Sequence, residues 1–103
     1  MLKLIYYVPV KQSEIVKEAL FKIGVGNIGN YDSCCFETAG IGQFRPLEGS
    51  KPTLGRHNQI EKVEELKVEM VMDESLAKKA VETLKAAHPY EEVAYQVLQC
   101  LDF

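Results

Sequence analysis

The sequence predicts an α+β fold, a ferredoxin-like βαββαβ sandwich with one four-stranded antiparallel sheet and both helices on a single face. Three observations predict it. Leu66, Val68, Met70 and Met72 alternate with Glu65, Lys67 and Glu69, the period of a half-buried strand, and Leu2, Leu4, Tyr6 and Val8 repeat the same spacing. They recur at helical spacing in two other stretches, after Gln12 and after Asp73. The elements also come in the order strand-helix-strand, long connection, strand-helix-strand. With 103 residues, the chain suits one domain spanning 1–103 around one modest core.

The first strand is expected over Leu2 to Val8, with Leu2, Leu4, Tyr6 and Val8 on one face and Lys3, Ile5 and Tyr7 on the other. Pro9 closes it, having no N–H for the ladder. A helix follows from about Gln12 to Ile23. Ile15, Val16, Ala19, Leu20 and Ile23 form its apolar stripe, and Glu14, Lys17 and Glu18 point away. Gly24 caps it, and Gly26 and Gly29 turn the chain. The spacing Gly24-Val25-Gly26-Asn27-Ile28-Gly29 follows a helix and precedes a strand, which reverses the context of a dinucleotide-binding turn.

A second strand is expected from about Asn30 to Ala39, on its aromatic and β-branched content. Gly40 to Gln59 has four glycines, two prolines and no period, so it reads as a long connection, and such loops tend to carry function. The third strand runs from Ile60 to Met72. Asp73 or Ser75 then caps a helix ending near His88, with Leu76, Ala77, Ala80, Val81, Leu84 and Ala87 buried. Pro89 stops that helix. The last strand runs from about Glu92 to Leu101.

Composition excludes several classes. At 47% hydrophobic and 26% charged, the chain is not a disordered one. A net charge of −3 argues against nucleic acid as a partner. No apolar run approaches the roughly 20 residues of a bilayer span, and the N-terminus makes a poor signal peptide, so no membrane partner is expected. Three cysteines, two of them adjacent, do not make a disulfide framework and suit a cytoplasmic setting. With helices covering one sheet face, the other carries Ile5 and Tyr7 beside Glu and Lys side chains. It is too apolar for water and too charged for a core, which predicts a homo-oligomer, trimer or dimer.

No catalytic motif is present, so no catalytic residue is assigned. Cys34, Cys35, His57, His88 and Cys100 are the soft-ligand candidates for a metal. Their spacing is wrong for structural zinc, and neighbouring strand residues face opposite ways. Metal ligands are therefore left unassigned; no cofactor is expected, and a divalent ion is the one candidate. His88-Pro89-Tyr90-Glu91-Glu92 places an imidazole at a helix C-terminus, where the dipole favours its protonated form. One reading is a polar ligand or ion site using His88, Tyr90 and Glu91; the plainer one is a helix stop with Tyr90 packed beneath. Arg45, in the long loop, can hold a small anion bidentately, helped by backbone N–H groups at Gly40, Gly42, Gly49 and Gly55. Pairing with Glu48 or with another subunit is its structural alternative.

Several separate strings then carry a resemblance. They are Gly26–Asp32, Phe36–Gly49 with its Gly40-Ile41-Gly42-Gln43-Phe44-Arg45-Pro46-Leu47-Glu48-Gly49, Lys51–Gly55, Val63–Glu69 and His88–Tyr95. In this order, over nearly the whole chain, they resemble the insertion domain of the Nif-three-like family, the GTP cyclohydrolase type-two homologues, here in stand-alone form. In that family the domain is similar to PII signalling proteins and to CutA-like divalent-ion-tolerance proteins. The resemblance implies a PII/CutA-like ferredoxin-like fold and assembly through sheets. It also implies that the family's dinuclear metal site lies in flanking halves, so neither metal chemistry nor hydrolysis is carried over.

The expected function is a non-catalytic, oligomeric PII/CutA-like module. It would bind a small anion, nucleotide or metal ion in clefts between subunits, with Arg45, His88, Tyr90 and Glu91 lining them. The alternative is a metal-dependent hydrolase or an accessory subunit to Nif-three-like proteins.

Overall fold

A computed structural model describes residues 1–103. Four strands, β1 (Leu2–Pro9), β2 (Phe36–Phe44), β3 (Glu61–Met72) and β4 (Tyr95–Gln99), form one antiparallel sheet in the order β2-β3-β1-β4. Helices α1 (Ser13–Lys22) and α2 (Ala77–Ala87) each follow a short 3-10 turn and pack beside one another. This is the expected split β-α-β sandwich.

The register explains the core. Leu4, Tyr6 and Val8 of β1 stand opposite Met70, Val68 and Leu66 of β3. Those side chains, with Met72, meet Val16 and Leu20 of α1, Ala80 and Leu84 of α2, and Val25. Period two in the strands and period 3.6 in the helices thus converge on one layer. At α2 the reading of the sequence holds: Asp73 accepts a hydrogen bond from the Ser75 backbone N–H at 2.9 Å, and His88 turns extended before Pro89.

Three expectations change. The first concerns α1. Ile15, placed in the apolar stripe, is 64% exposed, whereas Lys17, expected to point outward, is 8% exposed. The helix is rotated so that Ser13, Val16, Lys17 and Leu20 face inward. The cause is an acceptor on β2: Lys17 pairs with Glu37 and with Glu14. Burial opposes the ammonium charge, but hydrogen bonds to Glu14 and Glu37 outweigh it and raise its pKa.

The second is β2. It starts at Phe36 and runs on to Phe44, well beyond Ala39. The Asn30–Cys35 stretch instead turns, with Ile28 and Tyr31 exchanging backbone hydrogen bonds at 2.8 and 2.9 Å and Ser33 at φ +56°. Gly40 and Gly42, read as loop, pair with Glu65 and Val63 in the ladder. Glycine's weak strand preference misled the reading, but it leaves room here. A Cβ on Gly42 would sit 1.8 Å from a carboxyl oxygen of Glu65. The third is β4, which is shorter than Glu92–Leu101 and lies at the sheet edge.

The sheet face away from the helices carries Lys3, Ile5, Tyr7, Phe36, Glu69, Val71 and Leu98. Ile5 is nearly buried among its neighbours, while Phe36 stays 68% exposed and Lys3 pairs with Glu69 at 2.7 Å. No helix is long and apolar enough to cross a membrane.

Candidate functional site

The long connection, now Arg45–Ile60, folds over one end of this open face and meets the segment after α2. Two sequence-distant strings are clasped together there. The Glu91 carboxylate accepts the Lys51 backbone N–H at 3.0 and 3.2 Å, and the Thr53 hydroxyl donates to the Pro89 carbonyl at 2.8 Å. Within the loop, the Ser50 hydroxyl donates to the Leu47 carbonyl at 2.6 Å, and a ring nitrogen of His57 lies 2.9 Å from the Ser50 carbonyl.

Between these segments and the sheet lies a cleft of about 440 Å³ whose surface is mostly apolar. Tyr7, Phe44, Pro46, Leu54 and Tyr90 are among its walls, and Arg45, Glu65, Glu91 and Glu92 supply its charge. Phe44 and Tyr90 stack edge to face at 5.8 Å. Of the four residues named from sequence, Arg45, Tyr90 and Glu91 line this one cleft, and its walls come from a single chain.

His88 sits behind it, buried against Tyr90 with ring centroids 5.1 Å apart. Its Nδ1 accepts the Tyr90 backbone N–H at 3.1 Å, and its Nε2 lies 2.7 Å from the Tyr7 carbonyl. These partners assign a neutral ring with the proton on Nε2. Burial lowers its pKa, with the Tyr7 hydrogen bond acting the other way. The helix-end argument for a protonated ring is thus overridden by desolvation, and His88 ties the segment after α2 to β1.

Arg45 is exposed at the rim and makes no ion pair; Glu48 is not its partner. Glu91 is engaged by the Lys51 backbone. Glu65 on β3 was missed by the sequence reading, because it looked like one more solvated position of an alternating strand. It makes no ion pair, and burial raises its pKa, with the neighbouring Tyr90 hydroxyl working against the rise. That hydroxyl is buried and closes no hydrogen bond of acceptable geometry, and its own pKa is pushed up by burial and by the charges of Glu65 and Glu61.

The soft-ligand candidates are not brought together. His57 lies in the loop and His88 in the core, and no group of three or more His, Cys, Asp or Glu is arranged to hold a metal ion. All three cysteines are free thiols. Cys34 and Cys35 border a second groove with Lys3, Phe36 and Glu69 on the open sheet face.

No family model matches the chain. It is 43% identical over 95 residues to a GTP cyclohydrolase 1 type 2 homolog of Bacillus subtilis, and 39% identical to its namesake in Mycobacterium tuberculosis. These matches take in 92% of the chain but only about a quarter of each relative (26% and 25%). Among solved structures, a Bacillus cereus protein related to NIF3 superposes with a TM-score of 0.81 at 42% identity, covering 94% of this chain and 24% of that one. CutA1 from Pyrococcus horikoshii superposes with a TM-score of 0.72 at 20% identity, covering 100% and 86%, a likeness of fold alone. The chain is thus a homologue of one segment, about a quarter, of the Nif3-like GTP cyclohydrolase 1 type 2 homologs, and that segment has the CutA-like fold.

Proposed function

We propose that this chain is a non-catalytic binding module that assembles with copies of itself and takes a small organic acid in the cleft. The observation that carries the reading is the unpaired Arg45 guanidinium at the mouth of an otherwise largely apolar pocket. A guanidinium without a protein carboxylate is suited to a ligand carboxylate or phosphate, held bidentately. The walls suit an apolar body, and the volume suits a small molecule.

The absence of an activated nucleophile supports a binding role. The two aliphatic hydroxyls of the cleft, on Ser50 and Thr53, donate to backbone carbonyls, and His57 faces a carbonyl instead of a hydroxyl. Support for self-assembly comes from the open sheet face, where Phe36 and Leu98 are exposed beside a charged pair. Three free thiols suit a reducing compartment such as the cytoplasm.

Amide NMR with 4-methylbenzoate and with hexanoate tests the site. Shifts are expected at Gln43–Leu54 and Tyr90–Ala94, with binding weakened about tenfold or more in Arg45→Ala, as for loss of a charge-assisted pair. Shifts elsewhere, or affinity indifferent to Arg45, overturn the reading.

A second reading draws on the relatives' cyclohydrolase name: a metal-dependent hydrolase, or an accessory subunit to one. Homology over 92% of the chain favours it. Metal content of protein purified without added metal separates the two, since stoichiometric zinc, iron or manganese would favour the hydrolase side.

A further inference from the structure

We infer that the cleft selects a ligand with two ends, an acidic group for Arg45 and an ammonium or similar cationic donor for the Glu65 carboxylate. This deepens the proposed function and rests on it. Arg45 accounts for one end only. Glu65 also lines the cleft: its half-buried carboxyl has no cation within ion-pairing reach, and its one polar neighbour there, the Tyr90 hydroxyl, is shut off from solvent and only poorly aligned for a hydrogen bond.

A partly desolvated carboxylate is costly without a cation or hydrogen bonds, and one in the wall of a cleft is open to a cation from solution. An ammonium carries three donors and no acceptor, so it donates to the Glu65 carboxylate and neutralises its charge. The charge of the cleft agrees, with Glu65, Glu91 and Glu92 against Arg45 alone. A purely anionic ligand adds to that negative excess, whereas a zwitterion does not. Gly42 belongs to the arrangement, because only a residue without Cβ lets the Glu65 carboxyl lie where it does.

Two matched pairs test the inference on the full chain. 4-(Aminomethyl)benzoate differs from 4-methylbenzoate only by its amino group, and 6-aminohexanoate differs from hexanoate likewise; the first pair is rigid and the second flexible. Calorimetry or NMR titration is expected to give the amino member of at least one pair about tenfold tighter binding or more, the range of a hydrogen bond to a charged group. Glu65→Gln should erase that preference while leaving the binding of the amino-free acid in place. If the amino-free acids bind through Arg45 with no preference in either pair, the two-ended site is overturned and the proposed function stands. A preference that survives Glu65→Gln also overturns it. If none of the four compounds binds, both readings fall together.

Discussion

His88 shows how a single residue's neighbours set its chemistry. A neutral ring is required to accept the Tyr90 N–H and donate to Tyr7 at once. Its native pKa lies below that of the unfolded chain, near 6.5. The unfolded state therefore binds the proton more readily. The stability His88 contributes is complete above about pH 6.5 and is lost as pH falls through the lowered native pKa. Urea midpoints are expected to drop between pH 7.5 and 5.5 in the native sequence, and to flatten over that window in His88→Gln. Glu65 has the opposite sign, since a raised carboxyl pKa favours folding at low pH and its stabilisation fades as pH rises. Lys17 gives a second residue-scale expectation. Lys17→Ala strands Glu37 half-buried without its cation, a cost of about 1–3 kcal/mol. Lys17→Met with Glu37→Leu should recover much of it in a double-mutant cycle read by denaturant unfolding, since apolar replacement of both partners is tolerated.

Among the elements, α1 separates what spacing shows from what packing decides. The sequence offered one apolar stripe, through Ile15, Val16, Ala19, Leu20 and Ile23, and the structure buries its Val16–Leu20 side and leaves Ile15 outside. That side turns to the sheet because Lys17 beside it finds Glu37. Leu20→Ala is therefore expected to cost about 2–5 kcal/mol and Ile15→Ala less than about 0.5 kcal/mol, measured as shifts in unfolding free energy. The loop after α1 is fixed by Gly26. It holds φ +85°, and a Cβ there would lie 2.7 Å from the Cys34 carbonyl oxygen. Gly26→Ala should destabilise by about 1–3 kcal/mol, because the strained backbone and the close approach act together. Gly42→Ala should leave the fold in place, since the obstructing atoms belong to the flexible end of Glu65, and instead dislodge that carboxyl from the cleft.

For the whole molecule, the sheet has one face sealed by helices and one open, and the cleft occupies an end of the open face. Self-assembly through that face is expected to give a sedimentation mass that is a multiple of the 11.6 kDa chain. Phe36→Lys, which places a charge on its most exposed aromatic, should shift the mass toward a single chain while leaving the core untouched. A native chain that sediments as one copy at every concentration would refute assembly without touching the single-chain cleft.

Local pattern carried much of the fold. The alternation of β3, the capping Asp73, the apolar stripe of α2 and the stop at Pro89 each depend on residues a few positions apart, so the chain states them directly. Arg45, Tyr90 and Glu91 could also be named from local strings. Their meeting in one cleft, the neutral state of His88, the burial of Lys17 and the place of Glu65 depend on contacts between residues as many as 81 positions apart. Those were decided by the tertiary structure, because desolvation and hydrogen-bond partnership are properties of surroundings that only folding supplies.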